Sequence, residues 1–374
     1  MTEDASIGDD ALGISRQAIR ALIAGRSALD NERLDVVSGR DAEAFLRSYG
    51  FDYQDPVQRK ELQEIRRAAL EFLEQELLLP GMAVLPDVVR MQDVRTLLAW
   101  ASSRDGSDRQ RWSCALLRVI HTCAHAHSYS DMAHGHRVRA AIEARFAPHL
   151  FTHDGVTTLG QGDAAVELVH FELRPSKTFR SVVIKLLSAA HNVGTEVYDR
   201  QGVRIVTRDR IDALMVLRYL RSEHVVMFAN VMPDRCRNTL VDPDWYDAEM
   251  DRLGEAARSM SRAELLARLR EAAARHTVER RSSEHNPSSS DAYRSIQFTC
   301  REMLRIDPTD SLPGGRFFFP YEVQILDAQS AEVAKTGDAS HSAYRARQLT
   351  RARRRVLGRL IPAGALYEPS HGTP

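Results

Sequence analysis

The sequence predicts an α+β or α/β protein: a helical N-terminal region, then a mixed-sheet domain carrying a helical insert. Three observations predict it. Apolar residues recur at helical spacing through the first 150 residues or so, and past Gly155 the period shortens to that of strands. A segment rich in Ala, Arg, Glu and Leu, Asp247 to Thr277, then interrupts the strands. Composition agrees with a folded chain. The 374 residues suit two or three domains at about 150 residues each. Lys and Arg number 51, as do Asp and Glu, so there is no net charge to argue for a polyanion partner. With 43% hydrophobic and 27% charged residues the chain is neither wholly disordered, nor a collagen, nor a coiled-coil rod. No apolar run reaches about 18 residues, so no membrane span is expected. The opening Met1-Thr-Glu-Asp is unlike a secretory signal, and the four cysteines lack metal-like spacing, so a cytoplasmic protein is expected.

The elements follow in order. Residues 1–12 read as a disordered N-terminus and 13–155 as a helical domain. Ile19, Leu22 and Ile23 mark a helix from Ser15 to Leu29. Asp41 is placed to cap the next, which Gly50 follows. Pro56 opens a third, stopped by Pro80-Gly81. Helices are also expected over Asp87 to Ser102 and Asp108 to His127. Strands are expected at Ala164 to Arg174, Gly202 to Thr207, His224 to Met232, Tyr293 to Leu304 and Arg316 to Asp327. Helices are expected at Ser176 to His191, Asp209 to Arg221 and Ala328 to Arg359. Residues 160–345 form the sheet domain, with its insert at about 240–290 and a linker-like Ser282 to Ser290, and 346–374 form a basic helix and tail.

Four segments carry the chemistry. Arg174-Pro-Ser-Lys177, with Arg180 and Lys185, puts several cations between a strand end and a helix, a setting that holds polyphosphate. Tyr198-Asp199 places a carboxylate just before a buried strand. Asp291-Ala-Tyr293-Arg-Ser turns a loop into a strand with an aromatic at the turn. In Tyr321-Glu322-Val-Gln324-Ile, Glu322 and Gln324 share one strand face while Val323 and Ile325 share the other. Taken singly, Asp199 also reads as a turn residue, Glu322 as a solvated face residue and Tyr293 as a packed strand aromatic.

Together these segments resemble the synthetase domain of the RelA/SpoT-like alarmone synthetases. Glu322-Val-Gln-Ile is followed by Ala334, Gly337, Ala339, His341 and Tyr344-Arg345 at the family's spacing with no gap. Arg174-Pro-x-Lys with Ser181 and Lys185, Asp199 with Gly202-Val-Arg204-Ile-Val, and Tyr293 precede it in the family's order. The resemblance covers roughly Val166 to Arg345. It implies a nucleotidyltransferase-like fold and an enzyme that moves pyrophosphate from ATP to the 3′-hydroxyl of GDP, GTP or another nucleotide. It implies that Asp199 and Glu322 hold Mg²⁺ and act in catalysis, Glu322 also as a base toward the hydroxyl. Arg174, Lys177, Arg180 and Lys185 would bind the nucleotide, Tyr293 would stack on the acceptor base, and Gln324 and Arg204 would support the site. The chain departs from the family at Ser288 to Ala292, Gln297 and Leu326, where the family has a loop with Lys and Asn-Gly, a histidine and an arginine.

Two alternatives follow: an RNA acceptor such as a tRNA 3′ end, and a catalytically silent nucleotide sensor. Seven arginines between Arg345 and Arg359 read as a solvated cationic helix, or as an RNA-binding one. His121 and His125 have the i, i+4 spacing of zinc ligands, but without a neighbouring Glu they read as polar groups near a helix end.

Overall fold

A computed structural model describes residues 32–126, 129–188, 201–278, 293–306, 315–335 and 341–362, with the side chains of 129–134, 306 and 341 left out. The helix expected at Ser15 to Leu29, the linker at Ser282 to Ser290, and Asp199 lie outside the described residues. The protein is mixed α+β. By contacts it divides into two units, Met1–Ser128 with Phe179–Val197 and Arg347–Pro374, and Tyr129–Thr178 with Tyr198–Ala346.

The first unit is helical. Ser38 caps α1 (Gly39–Ser48). Asp55 caps α2 (Pro56–Phe72), with Pro56 in the first turn where its missing N–H costs nothing. The expected helix over Asp87 to Ser102 is two helices, α3 (Pro86–Arg90) and α4 (Val94–Ala101). The break falls at Asp93, whose side chain accepts from Arg95 N–H and so starts a new helix instead of continuing the old one. Next is α5 (Asp108–Ala126). The unit also holds α7 (Phe179–Ser188), which starts after the expected Ser176. Phe72, Leu73, Leu77, Leu116, Val119, Val183, Leu187 and Val356 form one buried cluster, each large side chain contributing about 1.5–3 kcal/mol.

Arginines terminate helices in this unit. Arg66 donates to the Val88 and Val89 carbonyls at 3.1 and 2.5 Å. Arg353 donates to Leu77 and Glu76, both at 3.0 Å. Arg355 donates to Leu186 and Leu187 at 3.3 and 3.4 Å. Each places a cation on the last carbonyls of a helix, where the backbone lacks internal partners. Three arginines of the basic tail are therefore engaged within the protein, since Arg359 pairs with Glu32 at 2.8 Å.

The second unit is built on seven strands: β1 (Leu150–His153), β2 (Val156–Leu159), β3 (Val166–Arg174), β4 (Gly202–Thr207), β5 (Arg237–Asn238), β6 (Ile296–Ile306) and β7 (Gly315–Asp327). Their order is β1-β2-β3-β4-β7-β6-β5, with β4 and β7 parallel and the other neighbours antiparallel. The β1–β2 hairpin and α6 (Tyr129–Phe146), which the sequence reading put with the helical region, go with the sheet. Asp154 (φ 50°) and Gly155 (φ 78°) form the hairpin's two-residue turn, the backbone that Asp-Gly favours.

The strand expected over His224 to Met232 is corrected. His224 leaves α8 (Arg210–Ser222) at φ 54°, Val226 N–H bonds back to the Leu220 carbonyl at 3.1 Å, and Phe228–Asn230 is a 3₁₀ turn. Donors spent closing the helix cannot join a ladder, and only Val231 makes an isolated bridge, to Cys300. The apolar run is buried because Val225 and Val226 enter the core, not because they pair. The insert holds α9 (Pro243–Leu253), α10 (Ala256–Ser259) and α11 (Arg262–Arg275). The expected helix over Ala328 to Arg359 is α12 (Ala328–Lys335) and α13 (His341–Leu357), residues 336–340 lying outside the described residues.

One face of the sheet is core. Val203, Ile205, Val323, Ile325, Phe298 and Tyr321 cluster with Val138, Ile142 and Phe146 of α6 and with Val216 and Leu220 of α8. No described helix is long and apolar enough to cross a membrane.

Candidate functional site

The opposite sheet face is polar, and the register fixes its rows. Arg174, Gly202, Glu322 and Thr299 stand side by side on β3, β4, β7 and β6. In the next row stand Glu172, Arg204, Gln324 and Gln297. The alternation that buries Val323 and Ile325 forces Glu322 and Gln324 onto this face.

Arg174 donates to Glu322 Oε2 at 2.8 Å, with the two side chains 22% and 18% exposed. They sit on strands separated by β4, so Arg174 reaches over Gly202. A Cβ on Gly202 would lie 3.1 Å from the Glu322 carbonyl oxygen and 3.6 Å from Arg174 Cδ. The missing side chain is what leaves the crossing open. Arg139 of α6 donates to the Arg174 and Leu173 carbonyls at 2.9 and 3.3 Å and fixes the end of β3. Arg204 donates to Gln324 Oε1 at 2.8 Å and lies 3.9 Å from Glu172. Gln297 donates to the Tyr293 hydroxyl at 3.3 Å. Burial pushes the Tyr293 phenol up; the nearby Arg204 lowers it and the nearby Glu322 raises it. Beyond these rows Val206 and Leu326 pair and are buried, and α12, capped by Asp327, packs against β4 and β7.

The structure thus brings together Arg174, Glu322, Gln324 and Tyr293, with Arg204 among them. Lys177 stands on the connection after β3, between Arg174 and α7. Arg180 and Lys185 stand on α7, in the helical unit, where Arg180 pairs with Glu71 at 3.1 Å and Glu76 at 3.2 Å and bonds Gln75. The chain re-enters beside Glu322, for Glu322 N–H donates to the Gln201 carbonyl at 3.0 Å. Glu172, Thr299 and Arg139 are the site neighbours the sequence did not single out. The period-two alternation of β3 and β6 contains the signal for the first two; Arg139 on a distant helix has none.

Two surface clefts lie elsewhere: one of about 540 Å³ at the end of α8, beside Arg221, His224 and Phe228, and one of about 390 Å³ in the insert, between Trp245 and His276. His121 and His125 have ring centres 4.4 Å apart, and Tyr49 meets both edge-on, its hydroxyl bonded to His121 Nδ1. Burial, with His125 and Arg355 nearby, pulls His121 down to about 4. Among the described residues no group of three or more His, Cys, Asp or Glu is placed to hold a metal.

Comparison of the chain with protein-family models, with curated proteins and with solved structures finds no match.

Proposed function

We propose that the sheet unit is a nucleotidyltransferase-like domain that moves a pyrophosphoryl group from ATP to a nucleotide 3′-hydroxyl, as its resemblance to the RelA/SpoT-like synthetases implies. The observation that carries this reading is the partly buried Glu322, held over a glycine and beside an arginine on an otherwise polar sheet face. Its neighbours fit a hard divalent cation. Glu322 offers carboxylate oxygens, and Asp199 precedes by two residues the Gln201 whose carbonyl accepts from Glu322 N–H. Glu322 and Asp199 would hold Mg²⁺, which when bound would neutralise the ATP polyphosphate. Arg174 keeps Glu322 paired until phosphate oxygens offer it a bidentate alternative. Arg204 holds the Gln324 amide, and Gln297 orients the Tyr293 ring for stacking on the acceptor base. Rate enhancement then comes from positioning and charge neutralisation.

A second reading, a silent nucleotide-binding sensor, is favoured by the same ion pair. A carboxylate already neutralised by Arg174 has less need of a cation. Incubating the full chain with γ-labelled ATP, Mg²⁺ and GDP, GTP or tRNA separates the two. Label on an acceptor, lost in Glu322→Gln and Asp199→Asn, supports transfer. ATP binding without transfer supports the sensor. The absence of both overturns both.

A further inference from the structure

β6 and β7 continue as a two-stranded ribbon past the site. β4 begins at Gly202, opposite Glu322, so Gly315 to Tyr321 of β7 pair only with β6 among the described residues. Strand alternation carries the polar face of the site out along this ribbon. After Thr299 and Glu322 come three cross-strand pairs on that face: Arg301 with Pro320, Met303 with Phe318, and Arg305 with Arg316. The ribbon's other face is spoken for. Glu302 pairs there with Arg145 of α6 at 2.6 Å, and Phe319 and Tyr321 are buried.

Three features of the outer pairs go unexplained by folding. Phe318 is 50% exposed and Met303 37%, although the core is one residue away on the same strands. Arg301 lies over the Phe318 ring, its guanidinium carbon 5.6 Å from the ring centre. Arg305 and Arg316 stand directly opposite, a like-charged pair that opposes strand pairing, with no acidic partner among the described residues. A fold gains nothing from this arrangement. An anion with flat apolar faces does: its charge relieves the arginine pair and its rings cover Phe318 and Met303.

We propose that this ribbon face binds single-stranded nucleic acid, with a base stacked on Phe318 and the backbone phosphates on Arg301, Arg305 and Arg316. An extended strand rises about 3.4 Å per residue, so Arg316 lies roughly 20 Å from Glu322 along β7, and a bound strand has several nucleotides' room between them. A stacking platform flanked by cations is the usual solution for holding a strand without reading its sequence. A duplex hides its base faces and cannot use Phe318. The proposal stands on the ribbon and is tested by binding alone, so its outcome does not depend on whether the Glu322 site transfers anything.

The experiment is fluorescence anisotropy of the full chain with labelled 12-nucleotide oligo(rA) and oligo(dA), a 12-base-pair duplex and poly-glutamate, over a range of salt. Single strands are expected to bind and the duplex and poly-glutamate to bind at least tenfold more weakly. Arg305→Ala with Arg316→Ala should lower affinity and reduce the salt slope by about 1.4, since each single-strand phosphate contact contributes about 0.7. Phe318→Ala should weaken binding roughly five- to a hundredfold with the salt slope unchanged, and Phe318→Trp should restore it. The exposed positions make these variants foldable, which circular dichroism verifies. If oligo(rA) binds and oligo(dA) does not, the occupant is RNA; the reverse identifies DNA; both results support the proposal. No single-strand binding at low salt, equal binding of poly-glutamate, or indifference to both sets of substitutions overturns it.

Discussion

Arg174 and Glu322, 148 residues apart in sequence, meet at 2.8 Å across the one strand that lies between theirs. The bridge exists because Gly202 presents no side chain beneath it.

Gly202 is therefore expected to be intolerant of even a methyl group. A Cβ 3.1 Å from a backbone oxygen forces the strands to give by a few tenths of an ångström. Gly202→Ala should cost about 1–2 kcal/mol by urea denaturation. In a double-mutant cycle between Arg174→Ala and Glu322→Gln it should shrink the coupling energy. An unchanged coupling would show that the glycine does not govern the pair.

Gly160 should be less tolerant still. Its backbone is at φ 84°, and a Cβ there would fall 2.3 Å from Tyr219 Cε2, a ring tied down by the His149 bond at 3.0 Å. Left-handed strain and overlap add, so Gly160→Ala should lose about 2–4 kcal/mol. Thermal melting checks this, and the additional change Tyr219→Leu should recover part of the loss.

His121 predicts an acid-sensitive helical unit. Its folded-state value is near 4, below the usual 6.5, so between those values the unfolded chain holds the proton and the folded chain does not. Stability from this group is full above about pH 6.5 and is lost as pH falls toward 4, by at most about 3 kcal/mol. Urea titrations at pH 7, 5.5 and 4 should show this fall, and His121→Phe should flatten it. A variant with the parent's pH slope would refute the assignment.

Arg353 tests the arginine caps. Arg353→Ala leaves the Leu77 and Glu76 carbonyls without their donor, at a cost of about 1–3 kcal/mol. Arg353→Lys supplies a point charge instead of a two-pronged fork and should recover only part of the stability. Full recovery by lysine would mean that the charge alone matters.

The sequence by itself determined most of the elements. The Gly202–Thr207 strand matches its expected bounds, the helix expected at Asp209 to Arg221 runs Arg210–Ser222, and β7 begins one residue before the expected Arg316. Glu322 and Gln324 were assigned to one face before any coordinates, because strand alternation is a local property. Local signals were also available where the reading missed. Asp154-Gly155 is a hairpin turn written in the sequence, and Asp93 is a helix cap inside an apolar pattern. What no window of sequence holds is partnership. His224 to Met232 looks like a strand and is not one, because its donors close α8. Arg180 looks like one of a row of nucleotide cations, yet Glu71 and Glu76 neutralise it, while Arg353 and Arg355 of the basic tail end helices. Only tertiary structure decides such matters, because backbone conformation follows from neighbours in the chain whereas the partner of a charge follows from neighbours in space.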